Sequence, residues 1–357
     1  MKILLRLLLK SQHQQNRSGP AQTEKGMTLV ELLVGSIMAF LIITPMLAFV
    51  VDMLNTDRRE QVKSNTEQDL QAAVDFIAQD LSQAIYIYDQ AGITAINPAT
   101  KLPAPPSNTT GTPILVFWKR QQIKNAVPIN SAVSAKKPSD CPPNGSECND
   151  TYVLSLVAYY QIKDTTPNPI WCQPLGSPCP SRIARYEIRD GVKNPSSSAA
   201  SDPAYPYYSL TDSNEYAPDK AFNPAFDINN KPTVDVTMGA DFKDPEVLVN
   251  YIDHTSPVPT PIDPKECENA LGNPTDTTGV MPTPIPETTL KITDSLSAKP
   301  TNSFYACVDT AKNVARVTIR GNSLRRLQPN DADFKTTSSA FFPTASVQVK
   351  GLGARGQ

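Results

Sequence analysis

The sequence predicts an α+β chain. A long N-terminal helix, part membrane span and part amphipathic extension, packs on an antiparallel β-sheet head with long proline-rich, disulfide-stapled loops. Three observations predict this. A 25-residue apolar run at residues 27–51 is followed by apolar positions three and four apart. From residue 113 onward, short runs alternate apolar and polar side chains with the period of half-buried strands. Prolines number 34 against 15 glycines, and all six cysteines fall after residue 140. The chain divides accordingly into a leader-like segment (1–26), a transmembrane helix (27–51), an amphipathic extension (52–89) and a β-rich head (90–357).

The first element is the leader. Its opening stretch, MKILLRLLLK, is apolar and basic but too short to cross a bilayer. No small-residue cleavage site of the secretory type follows it; a polar run to Lys25 leads instead to the longer apolar segment. Lys2, Arg6, Lys10, Arg17 and Lys25 against Glu24 give the leader a net charge of +4, which leaves the remaining 331 residues at −6 of the chain's total of −2. A basic start before an acidic body places the N-terminus in the cytoplasm and the head in the periplasm or outside the cell, the chain crossing the plasma membrane once. The same total leaves no basic footprint for nucleic acid.

The second element, MTLVELLVGSIMAFLIITPMLAFVV, carries a single charge, Glu31. As a helix it would be about 37 Å long, enough to span with some tilt. Pro45 lies inside it and is the expected kink. The third element continues the helix: Leu70, Val74, Ile77, Leu81, Ile85 and Tyr88 form one stripe, with Glu67, Asp75, Gln79, Ser82 and Gln83 off it. Strands are expected at 113–119, 152–162, 182–188, 247–252, 304–308, 314–320 and 345–350. The longest loops are expected at 195–233 and 255–300.

Six cysteines, Cys141, Cys148, Cys172, Cys179, Cys267 and Cys307, allow 15 connectivities. Two pairs are separated by only six residues, which favours local loops at Cys141–Cys148 and Cys172–Cys179 and leaves Cys267 with Cys307. No C-x-x-C pair or neighbouring histidine supports a metal site. Disulfides imply an oxidising compartment.

The string Lys25-Gly26-Met27-Thr28-Leu29-Val30-Glu31 resembles the type IV prepilin cleavage and methylation motif. The resemblance implies a membrane-embedded peptidase that cuts after Gly26 and methylates the new N-terminus at Met27. It places Glu31 at the fifth mature position, where the family carries glutamate; Met27 stands where the family usually has phenylalanine. Thr28 and Glu31 are the implied filament-assembly residues, the Glu31 carboxylate pairing with the Met27 amine of a neighbouring subunit. Such a charge within an apolar span costs about 2.5–3.5 kcal/mol at the helix centre and normally has a partner and a role. The wider pattern is similar to that of the larger J/W-type minor pseudopilins and pilins, and of the cyanobacterial hormogonium polysaccharide secretion pseudopilins, the C type among them. These imply a lollipop architecture, assembly with other pilin or pseudopilin subunits on an inner-membrane platform, and support of surface polysaccharide export and gliding motility. The alternatives are a tip adhesin with the same anchor and an uncut single-pass envelope protein.

No cofactor site and no enzyme are expected. G-x-S-x-G, H-E-x-x-H and P-loop patterns are absent. His254 reads as a surface or loop residue. The acidic stretches 211–215 and 330–333 read as solvated loops without an EF-hand pattern.

Overall fold

The computed structural model describes residues 28–96, 102–129, 148–166, 170–194, 207–208, 216–222, 226, 228, 244–256, 263–276, 282–294 and 301–352. The chain forms two compact units, residues 1–58 and 59–357. Helix α1 (Leu29–Ser82) contributes to both and continues through Pro45.

In the second unit, two antiparallel sheets follow the chain without crossovers. A five-stranded sheet has the order β1 (Ala84–Ile87), β2 (Thr109–Pro128), β3 (Cys148–Asp164), β4 (Ser181–Arg189), β5 (Glu246–Ile252), with a short helix α2 (Gln90–Ile96) between β1 and β2. Beyond β5 come α3 (Glu266–Ala270), a two-stranded ribbon of β6 (Thr275–Asp276) and β7 (Thr283–Pro284), and α4 (Glu287–Leu290). A four-stranded sheet then has the order β8 (Lys291–Ile292), β9 (Phe304–Asp309), β10 (Val314–Arg320), β11 (Thr344–Lys350), with α5 (Leu324–Leu327) and a 3-10 turn (Thr336–Phe341) between β10 and β11. Strands β2 and β3 pair from Thr109↔Asp164 to Pro128↔Cys148, and Pro113 stands where the register shifts. A proline is tolerated at such an irregularity, where a ladder bond is already missing.

One apolar core joins the elements. Leu70, Ala73, Val74, Ile77 and Leu81 of α1 meet Leu115, Phe117, Val157 and Ile183 of the larger sheet and Phe304, Ala306, Val317 and Ile319 of the smaller one. At Gly321, just past β10, an added Cβ would lie 2.9 Å from side-chain carbons of Leu70 and Thr66 of α1.

All seven expected strands form, several longer than the alternation indicated. The helix is shorter than residues 52–89 would allow. It ends at Ser82, and Ala84–Ile87 is instead strand β1, paired with β2 across Tyr86↔Trp118 and Ile87↔Phe117. The physical reason is local: Ile85, Tyr86, Ile87 and Tyr88 are β-branched or aromatic, and they pack better on a pleated edge than in a helix. The described residues within 255–300 also hold more structure than a loop. The Glu287 carboxylate accepts the N–H groups of Cys267 (2.8 Å) and Glu268 (3.0 Å), and Glu268 accepts the N–H of Glu287 in return (3.1 Å). These elements are too short to show a period in the sequence.

Disulfides Cys172–Cys179 and Cys267–Cys307 both form, with Cα separations of 5.1 and 5.2 Å. Cys148 is disulfide-bonded as well; Cys141 lies outside the described residues, as do Gly26, Met27 and the stretch 211–215.

Candidate functional site

The N-terminus of α1 is built by two residues that the sequence singles out. The Thr28 hydroxyl accepts the Glu31 N–H at 3.3 Å, and Glu31 Oε2 accepts both the Thr28 N–H and its hydroxyl at 3.1 Å. This is a reciprocal capping box, which satisfies donors that a helix start leaves open and sets a carboxylate at the positive end of the helix dipole. Glu31 Oε1 has no hydrogen-bond partner among the described residues.

Behind the cap, the large apolar side chains stand bare. Leu29 is 87% exposed and Phe40 71%, and exposure persists through Leu54. Ser36 and Thr44 return their hydroxyls to the carbonyls of Leu33 and Phe40, both at 2.8 Å. Polar side chains that bond within their own helix leave its surface uniformly apolar. By length and composition this helix can cross a membrane. Pro45 lacks the N–H that would otherwise reach back one turn.

A second polar site occupies the sheet-facing side of α1, and the residue-by-residue reading of the sequence missed it. Asp80 Oδ1 accepts Lys119 Nζ of β2 at 3.0 Å, and Oδ2 accepts both Arg185 Nε of β4 and the Tyr159 hydroxyl of β3 at 2.7 Å. Glu187 of β4 completes the group, 2.6 Å from Arg185 Nη2 and 3.1 Å from Lys119 Nζ. Two carboxylates face two cations in a site almost closed to water. Burial alone would raise the Asp80 carboxyl, but the Arg185 hydrogen bond and the charges of Lys119 and Arg185 hold it below its ordinary value. Burial likewise opposes ionisation of Glu187, and the same two cations overcome it. Burial and the nearby Asp80 push the Tyr159 hydroxyl far up, so it stays a donor. A signal for this clamp was present: Asp80 lies three residues after Ile77 on the buried stripe, where a charge requires a partner.

A cavity of about 250 Å³ lies beside the clamp, with Gln121, Glu187, Arg189, Asp219 and Glu246 among its lining residues. His254 follows β5 in a loop, as expected, but it is not at the surface. Its side chain is 4% exposed, with Nε2 3.5 Å from Asp333 Oδ1, and burial lowers its pKa. Among the described residues no cluster of three or more histidine, cysteine or acidic side chains could hold a metal.

No protein family, curated protein or solved structure matches the chain significantly.

Proposed function

We propose that this chain is a minor pilin or pseudopilin, a subunit whose α1 is cut free after Gly26 and packs into a type IV pilus-like filament or a type II secretion-like apparatus. One observation carries the reading. A capping box of Thr28 and Glu31, two residues past the cleavage glycine of a prepilin-like motif, opens a helix whose apolar surface is exposed to Leu54 and whose continuation is built into a sheet. A helix bare in the isolated chain and anchored at its far end is suited to exchanging lipid for neighbouring helices. In such a filament the Met27 amine of one subunit would meet the Glu31 carboxylate of the next, with Oε1 open to receive it. Pro45 would be the point where the packed helix bends. The resemblance to the hormogonium pseudopilins extends the proposal to surface polysaccharide export and gliding motility, with the prepilin peptidase, sister subunits and an inner-membrane platform as partners.

The mature N-terminus tests the reading. Mass spectrometry should find N-methylated Met27, and Gly26→Val should leave the full-length precursor in the membrane. An unmodified, uncut N-terminus in the wild type would show a single-pass anchor instead. Glu31→Gln should be cut and inserted normally yet fail to co-purify with partner subunits, since removing one side of a pair in a low-dielectric setting costs about 3–5 kcal/mol. Full complementation of a null strain by this variant would remove Glu31 from assembly.

A further inference from the structure

The smaller sheet ends on β11, and among the described residues no strand lies on its outer side. The bonds at the two ends of the β10–β11 pair set the phase of this edge. Gly351 N–H donates to Asn313 O and Gly321 N–H to Pro343 O, both at 2.9 Å. In an antiparallel ladder bonded pairs alternate, so Ala345, Val347 and Val349 exchange their backbone bonds with β10. Thr344, Ser346, Gln348 and Lys350 turn their N–H and C=O groups outward, where no described residue bonds them.

Proteins usually blunt such an edge with proline, a bulge or inward-pointing charge. Strand β11, TASVQVK, does none of this. It has no proline, it pairs with β10 in unbroken register, and its one charge is Lys350 at the end. Its side chains alternate without exception: Ala345, Val347 and Val349 pack on the core while Thr344, Ser346, Gln348 and Lys350 are exposed.

We propose that β11 is a docking edge for a second copy of this chain, the two strands pairing antiparallel about a twofold axis at Val347. The sequence is self-complementary in that one register. Residue 344 then faces 350 and residue 346 faces 348, so every outward-turned residue meets another outward-turned residue and each such pair makes two hydrogen bonds. Each Lys350 lies opposite a Thr344, which keeps the two lysines at opposite ends of the pair. Ser346 and Gln348 face each other on the wet side; Ala345 meets Val349, and Val347 meets Val347, on the apolar side. A one-residue slip would set outward groups against inward ones and end the pairing. A two-residue slip would leave strand residues unpaired at both ends. The contact is isologous and closes on itself, so it makes a pair and does not by itself propagate. It depends only on residues 344–350 and holds whatever role α1 has.

The test uses the full chain in detergent micelles. One population carries Ser346→Cys and a differently tagged one Gln348→Cys; bonded antiparallel partners lie about 5.5 Å apart at Cα, within disulfide range. Mild oxidation should link the two tags, and should do so far more than in a mixture of Ser346→Cys with Ala311→Cys, an exposed site away from the edge. Adding Thr344→Pro to both chains removes an N–H that β10 does not use. It should cut the cross-link at least about tenfold, the loss expected when a small interface forfeits paired hydrogen bonds. The unchanged thermal transition of that variant would show that the head still folds. Equal cross-linking in the Ala311 control, or cross-linking indifferent to the proline in a folded head, would overturn the proposal. Adducts only with a different protein would overturn the second-copy assignment.

Discussion

The two halves of α1 share one helix and differ in nearly everything else. From Leu29 to Leu54 the large apolar side chains are all exposed, and the hydroxyls of Ser36 and Thr44 bond back to the helix's own carbonyls. From Thr66 to Leu81 the apolar residues are fewer, yet Leu70, Val74, Ile77 and Leu81 are almost completely buried, and Asp80 reaches three strands. The comparison teaches that hydrophobicity and burial are separate properties. The first half is too uniformly apolar to select one face, and among the described residues nothing buries its large apolar side chains. The second half has a stripe narrow enough to dictate a face, and within that stripe a charged clamp that admits one azimuth.

The largest expected effect falls on the clamp. Asp80→Ala leaves two buried cations to share the single carboxylate of Glu187 and should cost about 3–5 kcal/mol, whereas Asp75→Ala, an exposed carboxylate on the same helix, should change stability by no more than about 0.5 kcal/mol. Chemical denaturation followed by a signal from the buried Trp118 measures both. Equal small losses would mean that the network is ornamental to folding.

Next comes apolar truncation. Ile77→Ala should cost about 2–5 kcal/mol by opening a cavity in the shared core. Leu41→Ala, which deletes as much apolar surface from the exposed half, should leave unfolding of the head unchanged. A comparable loss for Leu41 would show that the first half takes part in folding the second unit, and the contrast between the halves would fail.

The smallest effect is a pH dependence. The pKa values of His254, Asp80 and Glu187 all lie below their ordinary values. Each therefore binds fewer protons folded than unfolded, and stability must rise with pH across its window. On acidification the His254 contribution should fade first, as pH falls below about 6.5, and the carboxylates should follow below about 4.5. Asp190 works the other way, because burial raises its pKa and the folded state holds its proton more firmly. Thermal melting against pH should fall along the acid limb in those two stages. His254→Gln should flatten the upper stage and leave the lower one. An upper stage unchanged in that variant would assign it to another group.

Much of the architecture was legible because its signals are periodic. Seven strands announced themselves as strand-like runs, several of them by alternation, and the stripe Leu70, Val74, Ile77, Leu81 marked the buried face of α1. Thr28 and Glu31 stood out in the sequence through the prepilin-like motif, while the capping box that joins them came only with the structure. The misreadings arose where two periods compete or where none fits. Ile85 and Tyr88 continue a helical spacing, yet they belong to β1 and the turn after it, since pairing with β2 outweighed the helical preference of a few residues. His254 looked like a loop residue and is one, but packing below it closed the surface that a loop normally meets.

What the sequence determined by itself is local and compositional. A 25-residue apolar run needs an apolar environment wherever it sits, a Thr-to-Glu spacing of three caps a helix, and cysteines seven positions apart can close a small loop, as Cys172 and Cys179 do. What only the tertiary structure decided is which distant residues meet. Asp80, Lys119, Tyr159 and the pair Arg185 and Glu187 come from distant parts of the chain, and their charge-balanced cluster exists because α1 lies across β2, β3 and β4 in one register. The same holds for the open edge of β11, since an edge is a property of strand order and strand order is set by long-range pairing, which no local pattern encodes.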